Sequence, residues 1–141
     1  LRRDLRRGTG LMSLTAAIAS LANRIGFEVK TKIDAAHPGV ARAWVSFGYV
    51  NGQMVIASAY NVASVVRTAV GRYRVHFAVT LPDANYCWTA LARSSTNSGT
   101  QRVAIVRSTS DLKTEQFVDI ACATAQASFD DSTEINLVVY R

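Results

Sequence analysis

The sequence predicts a mainly β protein: an antiparallel β-sandwich of about eight strands, preceded by a short N-terminal α-helix. Three observations carry that reading. Tyr73, Val75, Phe77 and Val79 alternate with Arg72, Arg74, His76 and Thr80, the period of a half-buried strand. Asn51-Gly52 sits between two further alternating segments, and this dipeptide supplies the positive φ angles of a two-residue hairpin turn. Beyond residue 43, polar or glycine-containing turns recur at the spacing of short strands. With 141 residues, 49% of them hydrophobic, the chain can bury one real core.

Taken in order, the chain opens on a basic arm, with Arg2, Arg3, Arg6 and Arg7 ahead of Gly8-Thr9-Gly10. Leu11, Leu14, Ile18, Leu21 and Ile25 follow at spacings of 3, 4, 3 and 4, the a/d pattern of an amphipathic helix over 11–25. Arginines followed by LMSLTAAIASLA also fit a secretory leader. A leader needs bulk apolarity without periodicity, however, and Ser13, Thr15 and Ser20 interrupt this one. Gly26 is placed to stop the helix. Two heptads are too short to be stable alone, so the helix must pack on copies of itself or on another protein. Isoleucine at a with leucine at d nominally favours two strands. Residues 26–39 read as a connector closing on Ala36-His37-Pro38-Gly39, which divides the chain into an arm, helix and connector (1–39) and a β head (40–141).

In the head, Val45, Phe47 and Tyr49 share one face of the first strand, and Trp44 falls on the other, where either a subunit interface or a second covering layer of the same subunit would bury it. The return strand alternates Met54, Ile56 and Ser58 with Val55, Ala57 and Ala59. The 72–80 strand ends at Leu81-Pro82-Asp83, because proline cannot donate to a ladder. Further strands are predicted near 85–93, 101–108, 114–123 and 134–140, the last kept apolar by Ile135, Leu137 and Val139. The polar, glycine-containing loop Ser94, Ser95, Thr96, Asn97, Ser98, Gly99 and Thr100 is the longest, and reads either as a place for receptor contacts or as an ordinary long hairpin.

The net charge of +6 is uneven: residues 1–32 carry +5 and residues 33–141 only +1. The nearly balanced head argues against nucleic acid as a partner, and no segment is long and apolar enough to span a bilayer. Cys87 and Cys122 lie far apart without a Cys/His cluster, so no zinc site is expected. Two buried thiols are the simpler reading and a disulfide the alternative. Only His37 and His76 are available for a Ser-His-Asp arrangement. One precedes Pro38 and the other shares a face with Arg72 and Arg74, whose charge opposes imidazolium formation. Asp130, Asp131 and Glu134 lack the spacing of a calcium loop and read as a solvated hairpin. No metal, cofactor or catalytic residue is therefore assigned. Arg67, Arg72, Arg74, Arg93, Arg102 and Arg107, with Tyr86 and Trp88 nearby, could form a platform for acidic sugars. The plainer reading makes them edge guards and inter-subunit partners.

Four dispersed pieces suggest a family. They are Ala43-Trp44-Val45-Ser46-Phe47, Ala59-Tyr60-Asn61-Val62-Ala63-Ser64, Gly71-Arg72-Tyr73-Arg74-Val75-His76-Phe77 and Leu81-Pro82-Asp83-Ala84-Asn85-Tyr86. Together they resemble the C-terminal β-sandwich head domains of bacteriophage tail-fibre and related virion structural proteins, over about residues 41–141. The resemblance implies a non-enzymatic virion protein, a tail fibre or receptor-binding head made in the host cytoplasm, assembled as a homotrimer and touching a host surface glycan or protein. Under it, Leu11, Leu14, Ile18, Leu21, Ile25 and Trp44 become candidate oligomer contacts, and Ser94 to Gly99 the candidate receptor loop. Arg2, Arg3, Arg6 and Arg7 become the arm that holds other virion proteins. A capsid-decoration or baseplate connector protein without receptor binding is the alternative, and a free-standing lectin a third class.

Overall fold

The computed structural model describes residues 13–32, 34, 37–94, 101–107 and 109–141. The chain forms two compact units, Leu1–His37 and Pro38–Arg141.

The first unit carries one helix, α1 (Leu14–Lys32). Ser13 caps it: its Oγ accepts the Ala16 N–H at 3.2 Å, satisfying one of the orphan donors of the first turn. The helix does not stop at Gly26, as the sequence predicts, but runs six residues further. Gly26 lacks the positive φ of a C-terminal cap, and Phe27 to Lys32 continue the hydrogen-bond ladder without a proline. Glu28 and Lys32 then pair at 2.8 Å, and Lys30 and Lys32 sit where the helix dipole favours cations. Leu11 lies outside the described residues.

The second unit has eight strands: β1 (Ala41–Val50), β2 (Gln53–Tyr60), β3 (Val62–Ala69), β4 (Arg72–Phe77), β5 (Cys87–Arg93), β6 (Arg102–Ile105), β7 (Phe117–Thr124) and β8 (Glu134–Tyr140). They form two antiparallel four-stranded sheets, ordered β2-β1-β8-β5 and β3-β4-β7-β6. Val45, Phe47, Ile135, Leu137 and Val139 of the first sheet meet Tyr73, Val75, Val118 and Ile120 of the second in one buried cluster. Phe47 and Tyr73 cross it edge to face, with ring centroids 5.4 Å apart. This is a β-sandwich of the kind the alternation predicts. The Asn51-Gly52 turn has the predicted positive φ values, 51° and 79°.

Several strand limits differ from the sequence reading. β4 ends at Phe77, so Val79, predicted on the core face, is 68% exposed. The cause is Asn61, whose Oδ1 accepts the Val79 N–H at 2.7 Å and pulls the backbone out of the ladder. β5 starts at Cys87 because Tyr86 turns inward, with its hydroxyl donating to the Thr114 carbonyl at 3.0 Å. β6 is only four residues long, and β7 begins at Phe117 after Thr114 Oγ1 accepts the Gln116 and Phe117 amides. In β2 the expected alternation breaks at Ala57, an extra residue bulged between the Ser46–Ser58 and Phe47–Ile56 pairs.

The sandwich is polar along its length. Ala41 pairs with Tyr140, and Arg42 Nε donates to the Arg141 carbonyl at 3.0 Å, so both lie at one end, the base. The Asn51-Gly52 turn, the Gly71 turn, the end of β5, the start of β6 and the stretch 125–133 lie at the other end, the tip.

Candidate functional site

Three surfaces qualify as candidates. The first is the apolar stripe on α1. Leu14, Ile18, Leu21 and Ile25 are joined by Val29, and at 100° per residue all five fall within roughly 80° of arc. Each is more than half exposed, and no residue of α1 is buried. The predicted oligomer contacts within the described helix therefore do share one face.

The second is the outward face of the β2-β1-β8-β5 sheet. Trp44 stands opposite Val45 and Phe47, as predicted, and remains 37% exposed. It is in register with Tyr60 on β2 and Val138 on β8. Leu91 on β5 and Tyr140 on β8 extend the same apolar face. The adjoining edge strand β2 carries no charged residue or proline, and most of its residues are exposed. Its bulge is the one edge defence it retains.

The third is the arginine set. Most of these guanidiniums are held by carboxylates of the same chain, and Arg72 is the exception. Arg67 grips Asp131 through Nε and Nη2 at 2.9 and 2.8 Å, and Arg74 grips Asp119 the same way at 2.7 and 2.9 Å. Arg93 pairs with Glu134, Arg102 with Asp130 and Arg107 with Asp111. These are charge-assisted bonds within one chain. They also correct the reading of Asp130, Asp131 and Glu134 as a solvated hairpin, because each carboxylate is held by an arginine. Among the described residues no cluster of three or more metal-ligating side chains occurs.

Asp131 is the centre of this network. Besides Arg67, its Oδ1 accepts the Gly71 N–H at 2.9 Å and the Tyr73 hydroxyl at 2.7 Å. Burial works against its charge, but the bonds from Arg67, Gly71 and Tyr73 outweigh it and hold the carboxyl down at about 2. For Tyr73, burial and the bond to Asp131 push the phenol well above its ordinary range. Asp119 is likewise opposed by burial and held below the usual carboxylate range by Arg74 and the Leu112 amide.

The aromatic half of the predicted sugar platform is used internally. Tyr86 is buried against Phe77, and Trp88 packs on the core. The two histidines are placed for packing and turn geometry. His76 lies 5.7 Å from the Phe117 ring, and the His37 amide donates to the Asp34 carbonyl. One of the two cysteines departs from the expected pair of buried thiols. Cys122 is buried, its thiol pushed up to about 11 by burial, whereas Cys87 is exposed on the outward face, and both are free. Of the predicted receptor loop, Ser94 follows β5 at the tip; Ser95, Thr96, Asn97, Ser98 and Gly99 lie outside the described residues, as do Arg2, Arg3, Arg6 and Arg7.

The fold and these surfaces define a mainly β protein, eight strands in two antiparallel sheets with an N-terminal helix. Comparison of the chain with protein-family models, curated proteins and solved structures gives no match.

Proposed function

We propose that this chain is a bacteriophage virion protein acting by binding, a tail-fibre or receptor-binding head that contributes to host attachment. The observation that carries the reading is the polarity of the sandwich. The chain enters at the base through Ala41, and two turns, two strand ends and the stretch 125–133 lie at the tip. A head held at one end and presenting loops at the other suits an appendage that touches a surface. The sequence resemblance over residues 41–141 supports the same assignment.

In this reading α1 joins copies of the chain through Leu14, Ile18, Leu21 and Ile25, and Trp44 adds a contact between heads. Three copies form the unit the resemblance implies. The basic arm, with Arg2, Arg3, Arg6 and Arg7, attaches it to other virion proteins.

The test is competition. Purified chain added to host cells before phage should reduce adsorption, and its density should lie at the end of an appendage in an electron-microscopy map of the particle. Uniform density over the shell without competition would instead identify a decoration or connector protein. Sedimentation equilibrium gives the copy number: Leu21→Asp should convert an oligomer to monomers. A wild-type chain that sediments as a monomer would sink the assembly model.

A further inference from the structure

We propose a binding site for a carboxylate- or phosphate-bearing sugar in the cleft where Arg72, Arg74 and Arg107 converge on the outward face of the β3-β4-β7-β6 sheet. Its volume is about 240 Å³, and Thr68, Ser110, Asp111 and Asp119 complete the lining that matters.

In residues 38–141 there are nine basic side chains, Arg42, Arg67, Arg72, Arg74, Arg93, Arg102, Arg107, Lys113 and Arg141. Six of them pair with a carboxylate, and Arg42 and Lys113 donate to backbone carbonyls. Arg72 differs. Among the described residues its guanidinium meets no acceptor, and its Nε is buried without one. Its plane is fixed from below by the Phe129 ring, with the guanidinium carbon 4.4 Å from the centroid. With Nε shut off from solvent, the amino groups of Arg72 are what it can offer a ligand in the cleft.

Its neighbours point to the acceptor's charge. Arg74 commits Nε and Nη2 to Asp119, and Arg107 commits Nε and Nη2 to Asp111. Each thus keeps its remaining amino group for a further bond. Three arginines against two aspartates leave the cleft one positive charge, which favours an anion. At about 30 Å³ per water, the cleft exceeds what a bare carboxylate fills. The Thr68 and Ser110 hydroxyls on its lining suit the hydroxyls of an attached sugar ring. Arg74 and Arg107 are held rigid by their aspartates, so little side-chain order is lost on binding.

The site stands apart from the virion assignment, because it is tested on the purified full chain. Glucuronic acid, glucose 6-phosphate, glucose and inorganic phosphate are titrated by calorimetry at low salt. Both acidic sugars should bind at least tenfold more tightly than glucose. Arg72→Gln should weaken them about ten- to a hundredfold, as expected for losing a charge-assisted bond, and Arg72→Lys less. Equal affinity for glucose, or an Arg72→Gln chain that binds as well as wild type, would overturn the site. Inorganic phosphate binding as tightly as glucose 6-phosphate would overturn the sugar. If Arg72→Gln does not fold, hydrogen exchange on the wild-type chain decides. Protection by glucuronic acid should centre on residues 72–74 and 107–111, and protection confined to residues 2–7 would reject the cleft.

Discussion

Asn61 shows what a single residue contributes to this fold. It takes a φ of 52°, a region where asparagine is tolerated better than most residues. Its Nδ2 donates to the Arg42 and Val79 carbonyls at 3.0 and 3.2 Å, and it is the one residue between β2 and β3. The chain passes from one sheet to the other there. Asn61→Ala should cost about 2 kcal/mol in chemical denaturation, from lost bonds and a strained φ, and Asn61→Gly, which relieves the φ, should cost less. Asp131 gives a pH signature. Its folded value of about 2 lies below its ordinary value of 3.8, so its contribution is complete above about pH 4 and is lost as pH falls towards 2. Asp131 should account for about 2 kcal/mol of the wild-type stability lost over that window, so Asp131→Asn should be less stable at neutral pH and fall less steeply, its remaining slope coming from other lowered carboxylates such as Asp119. The sequence marked Asn61 as part of a motif but hid its role, because its acceptors lie 18 and 19 residues away. The partners of Asp131 and Asp130 were hidden for the same reason, 28 to 64 residues distant. Such pairings exist only after the sheets have formed.

At the scale of elements, periodicity was legible throughout, and boundaries only in places: the last strand lies at the predicted 134–140, while α1 and β4 end elsewhere. The alternation in β4 placed Tyr73, Val75 and Phe77 on the core correctly, and Trp44 on the outer face of β1. The heptad stripe predicted a helix but ended it too early, since glycine alone signals a stop only when its φ turns positive. Gly26 provides the check. An added Cβ there meets nothing within 4 Å, so Gly26→Ala should stabilise the helix by about 0.5–1 kcal/mol, read as increased helical signal on heating. A true C-cap glycine would respond in the opposite sense. β2 presents the contrary case. Its alternation was legible, but an edge strand has only one neighbour in its sheet. Ile56 therefore stays 44% exposed although it is paired with buried Phe47.

Over the whole molecule, the closing strand governs stability. β8 lies inside its sheet, paired with β1 on one side and β5 on the other, and buries Ile135, Leu137 and Val139 almost completely. Burying three such side chains contributes about 6 kcal/mol, comparable to the entire stability of an ordinary domain. Deletion of residues 134–141 should abolish cooperative melting in circular dichroism. The motifs behind the family resemblance have structural duties as well. Gly71 fits only because a Cβ would meet the Cys122 carbonyl oxygen at 2.6 Å, Asp83 pairs with Arg141, and Tyr86 is buried. They help to build the sandwich; the arginines of the cleft stood out in the sequence, but which of them pair internally and which converge did not.

The internal pairing of the arginines also bears on how fast this head meets a charged surface. Most of its cations are cancelled by carboxylates within one hydrogen bond, so the field of the sandwich decays over a few ångströms and offers little electrostatic guidance to an approaching anion. Encounter would then proceed at ordinary diffusive rates that change little with ionic strength. In the proposed assembly, retention would come from several copies engaging at once, with each dissociated head still tethered within reach of its target.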